Sequence, residues 1–354
     1  MAAINDNVFT AQEIENIMNA SLDYYMRGPA MAQTLQDRPT LREMKAKQKT
    51  FPGSQGSIKG NVKADYTTSF VGYSGDDVVE YSNPANLKQF SYEWFELHAG
   101  ISVSFSELKS NGISVVDSAT GDSTRNHSGN AMQVITNIME DKLDDMAEGS
   151  ARSFNDILWR DGTQSAKVFP GIQSIITDDP TTGVVGGIDR ASNSWWRNRA
   201  LTGGSKITAS ASAQTLTKTL RAEARQLKRF GGKPSIIRCG SDFIEALELE
   251  VHEKGNYTES GFRNNGATDI GMADISMRGV GSFVYDPTLD DLGLDKFAYF
   301  IDPRHIQLHV MAGEDMKRHN PARPHDQYVM YRGVTWTGTL CAKKMNSHGL
   351  YEVA

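Results

Sequence analysis

Apolar residues recur at helical spacing for longest between positions 128 and 159. Met132, Ile135, Met139, Leu143, Met146 and Ala147 step by three or four residues, and Phe154, Ile157 and Leu158 resume the stripe. Glu140, Asp141, Lys142, Asp144, Asp145, Glu148 and Arg152 fall largely on the other faces. The pattern predicts one amphipathic helix, N-capped by Ser128 and stopped at Asp161-Gly162. At 1.5 Å per residue it would be about 45 Å long. Such a rod needs a flat surface to lie on, and Gly149 is the point at which it could kink.

Shorter patterns flank it. Residues 11–26 carry Ile14, Ile17, Met18, Leu22 and Tyr25 at helical spacing behind a Thr10/Glu13 capping box, and Gly28-Pro29 ends the run. Residues 34–50 turn basic, with Arg38, Arg42, Lys45, Lys47 and Lys49, and are expected to form an extended arm that is either solvated or laid on a neighbour's acidic surface. Val62, Ala64, Tyr66, Thr68 and Phe70 alternate with polar residues, and Val78 to Tyr81 follow the turn text GYSGDD, which predicts a long hairpin. A two-stranded hairpin alone is marginal in water, so one carrying Phe70, Tyr73 and Tyr81 needs another chain to lie against. Residues 90–105 read as an aromatic-rich strand.

Beyond the long helix, residues 169–199 are dense in Gly, Pro, Asp and Thr, which favours loops and short strands. Helices are expected at 215–230 and 241–252, strands at 235–238, 282–285, 297–301 and 305–310, a surface loop at 255–281, and a strand pair around Gly333 within 328–343.

Composition narrows the class. The 354 residues are 39% hydrophobic and 23% charged, which is globular and long enough for two domains. No apolar run reaches the roughly 18 residues of a membrane span, and the N-terminus lacks the basic and apolar regions of a secretory signal, so folding in the cytosol is expected. Cys239 and Cys341 belong to no CxxC pattern and read as buried thiols. A net charge of −6 disfavours a sequence-reading nucleic-acid binder, though not a protein lying beside nucleic acid.

Candidate chemistry is sparse, and GxxxxGK[ST], HExxH and GxSxG are all missing from the sequence. His305, His309, His319 and His325 crowd one segment with Asp302, Glu314, Asp315 and Asp326, so a divalent-metal site, and with it a metal-dependent hydrolase, is geometrically conceivable. The pairs Asp144/Asp145, Asp178/Asp179 and Asp290/Asp291 suit helix-face, turn and cap roles better than a shared catalytic proton. Trp195-Trp196 beside Arg197 reads as an interface or core anchor.

The order of these parts resembles the major capsid proteins of tailed bacteriophages, the Hong Kong 97-type fold, over nearly the whole chain. The segments GIQSIITDD, GGIDR and WWRN look like text that follows the spine helix in that family. The resemblance implies an α+β chain with an N-terminal arm at 1–47, an E-loop hairpin at 48–90, and a peripheral domain with its spine helix at 91–165. An axial domain at 166–325 and a return to the peripheral domain at 326–354 complete it. It further implies no cofactor, no metal and no enzymatic centre, and self-association into pentamers and hexamers of an icosahedral shell enclosing double-stranded DNA. A portal is implied as a partner, with room for a decoration protein. Only about 47 residues precede the hairpin, where some relatives carry a long scaffolding extension, so a separate scaffolding protein is expected. Some relatives crosslink Lys to Asn between subunits, and Lys59, Lys63 and Asn346 offer those side chains. The candidate subunit-interface residues are Arg38, Arg42, Lys45, Phe70, Tyr73, Tyr81, Glu140, Asp144, Asp145, Trp195 and Trp196. An encapsulin-like compartment holding protein cargo is the nearest alternative.

Overall fold

The computed structural model describes residues 8–10, 14, 17, 38–53, 56–66, 68–79, 81, 86–111, 114–116, 129–253, 275–277, 279–321 and 326–354. The chain divides into two compact units, the first built from 1–39, 96–156 and 310–337, the second from 40–95, 157–309 and 338–354.

The first unit is organised by the long helix, Gly129–Trp159, which runs without a break through Gly149 and contributes all but its last three residues to this unit. Ile135, Met139, Leu143 and Met146 pack against Val103, Phe105, Leu108, Met330 and Val334, so the stripe read from the sequence is the buried face. Ile14 joins this core; with Ile17, which is also helical, it is all of the predicted first helix that lies among the described residues. The strand Phe95–Ser104 ends where Ser104 caps a short helix, Phe105–Ser110, by accepting from the Glu107 N–H at 3.2 Å. It pairs with a 14-residue strand, Val329–Ala342, which Lys317–His319 flanks on its other side.

That long strand corrects the strand pair expected around Gly333. Gly333 makes no turn; a Cβ there would lie 2.6 Å from the His98 ring and 3.3 Å from the Ala99 carbonyl, so the glycine admits the neighbouring strand. The strand expected over 90–105 also divides, because Leu87–Glu93 pairs elsewhere and residues from Phe105 onward are helical.

The second unit holds a six-stranded mixed sheet, in order Ile275–Met277, Gly281–Tyr285, Ile236–Cys239, Phe297–Ile301, Gly349–Glu352 and Arg199–Leu201. The edge strand 275–277 falls inside the stretch read as loop, most of which lies outside the described residues. Ile237, Cys239, Phe283 and Phe300 share one core with Leu216, Leu220 and Leu227 of helix Thr215–Arg229 and with Phe243 and Leu247 of helix Ser241–Glu253.

Strand residues alternate faces, and Arg238, between Ile237 and Cys239, is buried with its Nε donating to Thr40 Oγ1 at 3.1 Å and Nη2 to Glu43. Thr40 in turn donates to Asp286 at 2.5 Å. This network corrects the extended arm expected over 34–50. Residues Pro39–Ala46 are a helix with Pro at its first position and Thr40, Leu41 and Met44 buried, so two apolar residues among the basic ones set a helical face.

Two buried groups carry measurable consequences. Glu250 accepts from the Leu216 and Thr217 N–H groups at 2.9 Å each and from Ser210 N–H at 3.2 Å, capping helix 215–229 from another element because its own N-cap residue, Gln214, offers no side-chain bond. Glu250→Ala should lower unfolding free energy by about 1–3 kcal/mol in urea titrations with an unchanged slope.

His348 is fully buried, its Nδ1 accepting from the Asp302 N–H at 3.1 Å, and burial pushes its pKa down to about 3. The unfolded chain protonates this imidazole below about pH 6.5 while the folded chain does not, so its stabilising contribution is complete above that pH and is lost as pH falls toward 3. His348→Asn, which keeps an acceptor, should remove up to about 1.4 kcal/mol per pH unit from the slope of stability between pH 6 and 4.

Candidate assembly surface

Within the second unit the three motifs that follow the long helix converge on one another. Gly171 packs where a Cβ would meet the carbonyls of Ile157, Leu158 and Arg160 within 2.5 Å, and its N–H donates to the Arg160 carbonyl at 2.9 Å, closing the helix end. Arg190, only 1% exposed, donates through Nη1 to Thr177 Oγ1 at 2.6 Å and through Nη2 to the Ile175 carbonyl. Burial pushes this guanidinium down to about 10. Asn198 Nδ2 donates to the Thr177 carbonyl at 2.9 Å, and the Trp196 indole N–H donates to the Val185 carbonyl at 3.0 Å.

The same knot roots a projecting hairpin. Ser57–Lys63 and Leu87–Glu93 pair antiparallel from Ser57 opposite Glu93 to Lys63 opposite Leu87, and Ala64 N–H reaches the Asn86 carbonyl at 3.1 Å. The second strand is therefore 87–93, not the Val78 to Tyr81 run expected after the GYSGDD turn; residues 78, 79 and 81 pair with no strand among the described residues. Phe90 is buried over Gly60, where a Cβ would stand 2.3 Å from the ring. Beside it, Val184-Val185 and Ile188-Asp189 form a tight turn with Gly186 and Gly187 at φ of +58° and +76°. The Gly186 carbonyl accepts from Ser91 N–H at 2.9 Å, and its Cα lies so close to Tyr92 that a Cβ would be 2.8 Å from the ring. The Tyr92 hydroxyl donates to the Ala342 carbonyl at 3.2 Å.

Beyond that root the hairpin leaves apolar side chains uncovered. Tyr66, Phe70, Val71, Tyr73, Val78 and Tyr81 are all more than 70% exposed, with Tyr81 at 95%. The Asp77 N–H to Ser74 carbonyl bond at 3.1 Å, returned by Ser74 N–H to Asp77 at 2.9 Å, turns the chain at the tip.

The other candidates lie elsewhere. Arg38 pairs with Glu148 on the long helix of its own chain, and Arg152 approaches the same carboxylate at 3.9 Å. Hydrogen bonding from Arg38 holds Glu148 below the usual carboxylate range. Arg42 is exposed and Lys45 half-buried on helix 39–46; Asp144 and Asp145 are exposed on the long helix, and the side chain of Glu140 lies outside the described residues. Trp195 is half-buried edge-on to Trp196, which is 1% exposed and belongs to the core. Sequence reasoning quoted GGIDR without giving Gly186 or Arg190 a role and passed over Tyr92, although a Gly-Gly pair between apolar dipeptides is a hairpin signal.

The chemistry of the remaining candidates is modest. Asp179 accepts from Thr181 and Thr182, and Asp290 from Ser241 N–H and Tyr285, as turn and cap acceptors. His309 is buried with Nδ1 at 3.2 Å from the Gln307 carbonyl, and His319 meets Thr335 at 2.7 Å. His325 lies outside the described residues, and among the described residues no three metal-ligating side chains converge. No helix among them is long and apolar enough to cross a membrane.

No protein-family model and no curated protein matches the chain. Among solved structures it is similar to a chain of the cyanophage A-1(L) capsid asymmetric unit, with a TM-score of 0.57 at 12% identity over 86% of this chain and 90% of that one. It is also similar to a structure from Mycobacterium phage Ogopogo, with a TM-score of 0.50 at 10% identity over 90% and 92%. The fold is the α+β, Hong Kong 97-type capsid fold.

Gly186→Ala would force a Cβ onto Tyr92 at a left-handed backbone position. It should cost about 1–3 kcal/mol and speed hydrogen exchange at Ser91 while leaving exchange in helix 215–229 unchanged.

Proposed function

We propose that this chain is the major capsid subunit of a tailed double-stranded DNA virus, associating into pentamers and hexamers of an icosahedral shell around packaged DNA. The observation that carries this reading is a hairpin packed tightly at its root and bare at its tip. An isolated soluble subunit gains nothing from six exposed apolar side chains on a projection, whereas a shell subunit covers them on its neighbour. The likeness to a chain of a cyanophage capsid supports it.

In this reading residues 1–47 are the arm, 48–90 the E-loop, 91–165 the peripheral domain with the spine helix, 166–325 the axial domain and 326–354 the return to the peripheral domain. A scaffolding protein and a portal act as assembly partners. Obligate interfaces commonly bury about 2,000–5,000 Å², and repetition around a closed shell adds avidity to modest contacts. A net charge of −6 suits a wall that encloses DNA without gripping it. The work is association, and no catalytic step enters the reading.

Deleting residues 65–85 joins the chain where Ala64 and Asn86 already meet. The product should stay folded, with far-ultraviolet circular dichroism and melting close to wild type, yet form no closed particles by negative-stain microscopy under conditions where the full chain does. Normal shells from the deletion would refute the hairpin's role, and particles filled with protein cargo would move the reading to a nanocompartment.

A further inference from the structure

Two adjacent helices of the second unit carry opposite charge on their outer faces. Helix 215–229 exposes Lys218, Arg221, Arg225, Lys228 and Arg229, and Glu223, its one acid, is buried against Arg199. Lys218 and Lys228 donate to backbone carbonyls of Ala213 and Gly279, and Arg229 lies over the Phe230 ring. Arg221 and Arg225, one turn apart, enter no hydrogen bond or ion pair among the described residues.

Helix 241–253 exposes Glu245 and Glu248, also one turn apart, beside the half-buried Asp242. Burial and the neighbouring Asp295 and Glu245 carboxylates push the Asp242 carboxyl up, so this face carries like-charge repulsion that Lys296 only partly relieves. Both helices pack on the Ile237/Cys239 side of the sheet, which turns both charged faces outward.

We infer that these faces are the two poles of a head-to-tail contact between copies of this chain, with Arg221 and Arg225 of one copy set against Glu245 and Glu248 of the next. Matched one-turn spacings let both pairs form together. Duplex nucleic acid on the basic stripe would leave the acidic face unanswered, and the chain's net charge of −6 opposes it; only a second copy satisfies both. Such a contact is heterologous, which closes into rings when the rotation permits. The inference deepens the shell reading and rests on it.

The test uses the full chain as R221E/R225E, as E245K/E248K, and as a 1:1 mixture of the two. Each variant alone should keep the wild-type melting temperature and lose particle yield by at least roughly tenfold in sedimentation and negative-stain microscopy. The mixture, in which junctions between unlike variants are again complementary, should regain association into even-membered assemblies, although a five-membered ring cannot alternate and closed shells are not expected from it. Wild-type shells beside normal shells from either variant, or a mixture that associates no better than its folded components, would overturn the inference and leave the shell reading standing. So would a variant R221E/R225E that assembles normally but loses the wild type's retention of a duplex DNA oligonucleotide, which would make nucleic acid the occupant. A wild-type chain that stays monomeric at every concentration would overturn both.

Discussion

A guanidinium withdrawn from water must find acceptors, and Arg190 finds them in the Ile175 carbonyl and Thr177 hydroxyl just beyond the long helix. That requirement adds to the bonds of Asn198 and Trp196 and the burial of Ile172, Ile175 and Ile188 in tying these segments together. Residues 171–177 are fixed against the helix end, the 184–189 turn is carried with Arg190, and the turn in turn grips Ser91 and Tyr92 at the hairpin root. The hairpin root is thus held by the 184–189 turn and by Tyr92 on the Ala342 carbonyl, with the buried Arg190 fixing the segment that follows the turn. Breaking such a group's bonds costs more than making them gained, because the charge stays buried.

The hairpin shows how burial is distributed along one element. Near the root Phe90 covers Gly60, Tyr92 fills the space above Gly186, and main-chain bonds run in register. Past Ala64 the ladder stops and the aromatic side chains face outward. Apolar surface is worth roughly 25 cal/mol per Å² when covered, so in the proposed shell a rigid root with a bare tip would hold association energy for a neighbour to collect. In the contact proposed between copies, the charged helix faces of the same unit would add direction to that gain, since apolar contact is indifferent to orientation and paired charges are not.

The long helix was legible because its pattern is local. Met139, Leu143 and Met146 stand one turn apart whatever they pack against, and the same holds for Leu216, Leu220 and Leu227 and for Phe243 and Leu247. Misreadings arose where one residue type has two structural meanings. Gly333 reads as a turn and proves to be an opening for His98; the basic text around Arg42 hides the Leu41/Met44 face; the run Val78 to Tyr81 after the turn reads as the second strand, but residues 78, 79 and 81 pair with none among the described residues, because the partner of 57–63 begins at Leu87. A strand's partner is chosen by register across the sheet, which alternation alone does not encode.

The proposed assembly surface divides in the same way. That Phe70, Tyr73 and Tyr81 lie beyond a hairpin and need covering was legible from the turn residues around them, whereas the strands expected through Phe70 and over 78–81 are not formed, the ladder ending at Lys63 and Leu87. That Trp196 is a core residue while Trp195 borders solvent, that Arg38 meets Glu148 of its own chain, and that Arg190, Gly186 and Tyr92 converge from three segments were decided by tertiary packing. Those outcomes depend on which residues distant in sequence compete for the same buried volume and the same hydrogen-bond acceptors, and that competition is resolved only once the whole chain has closed on itself.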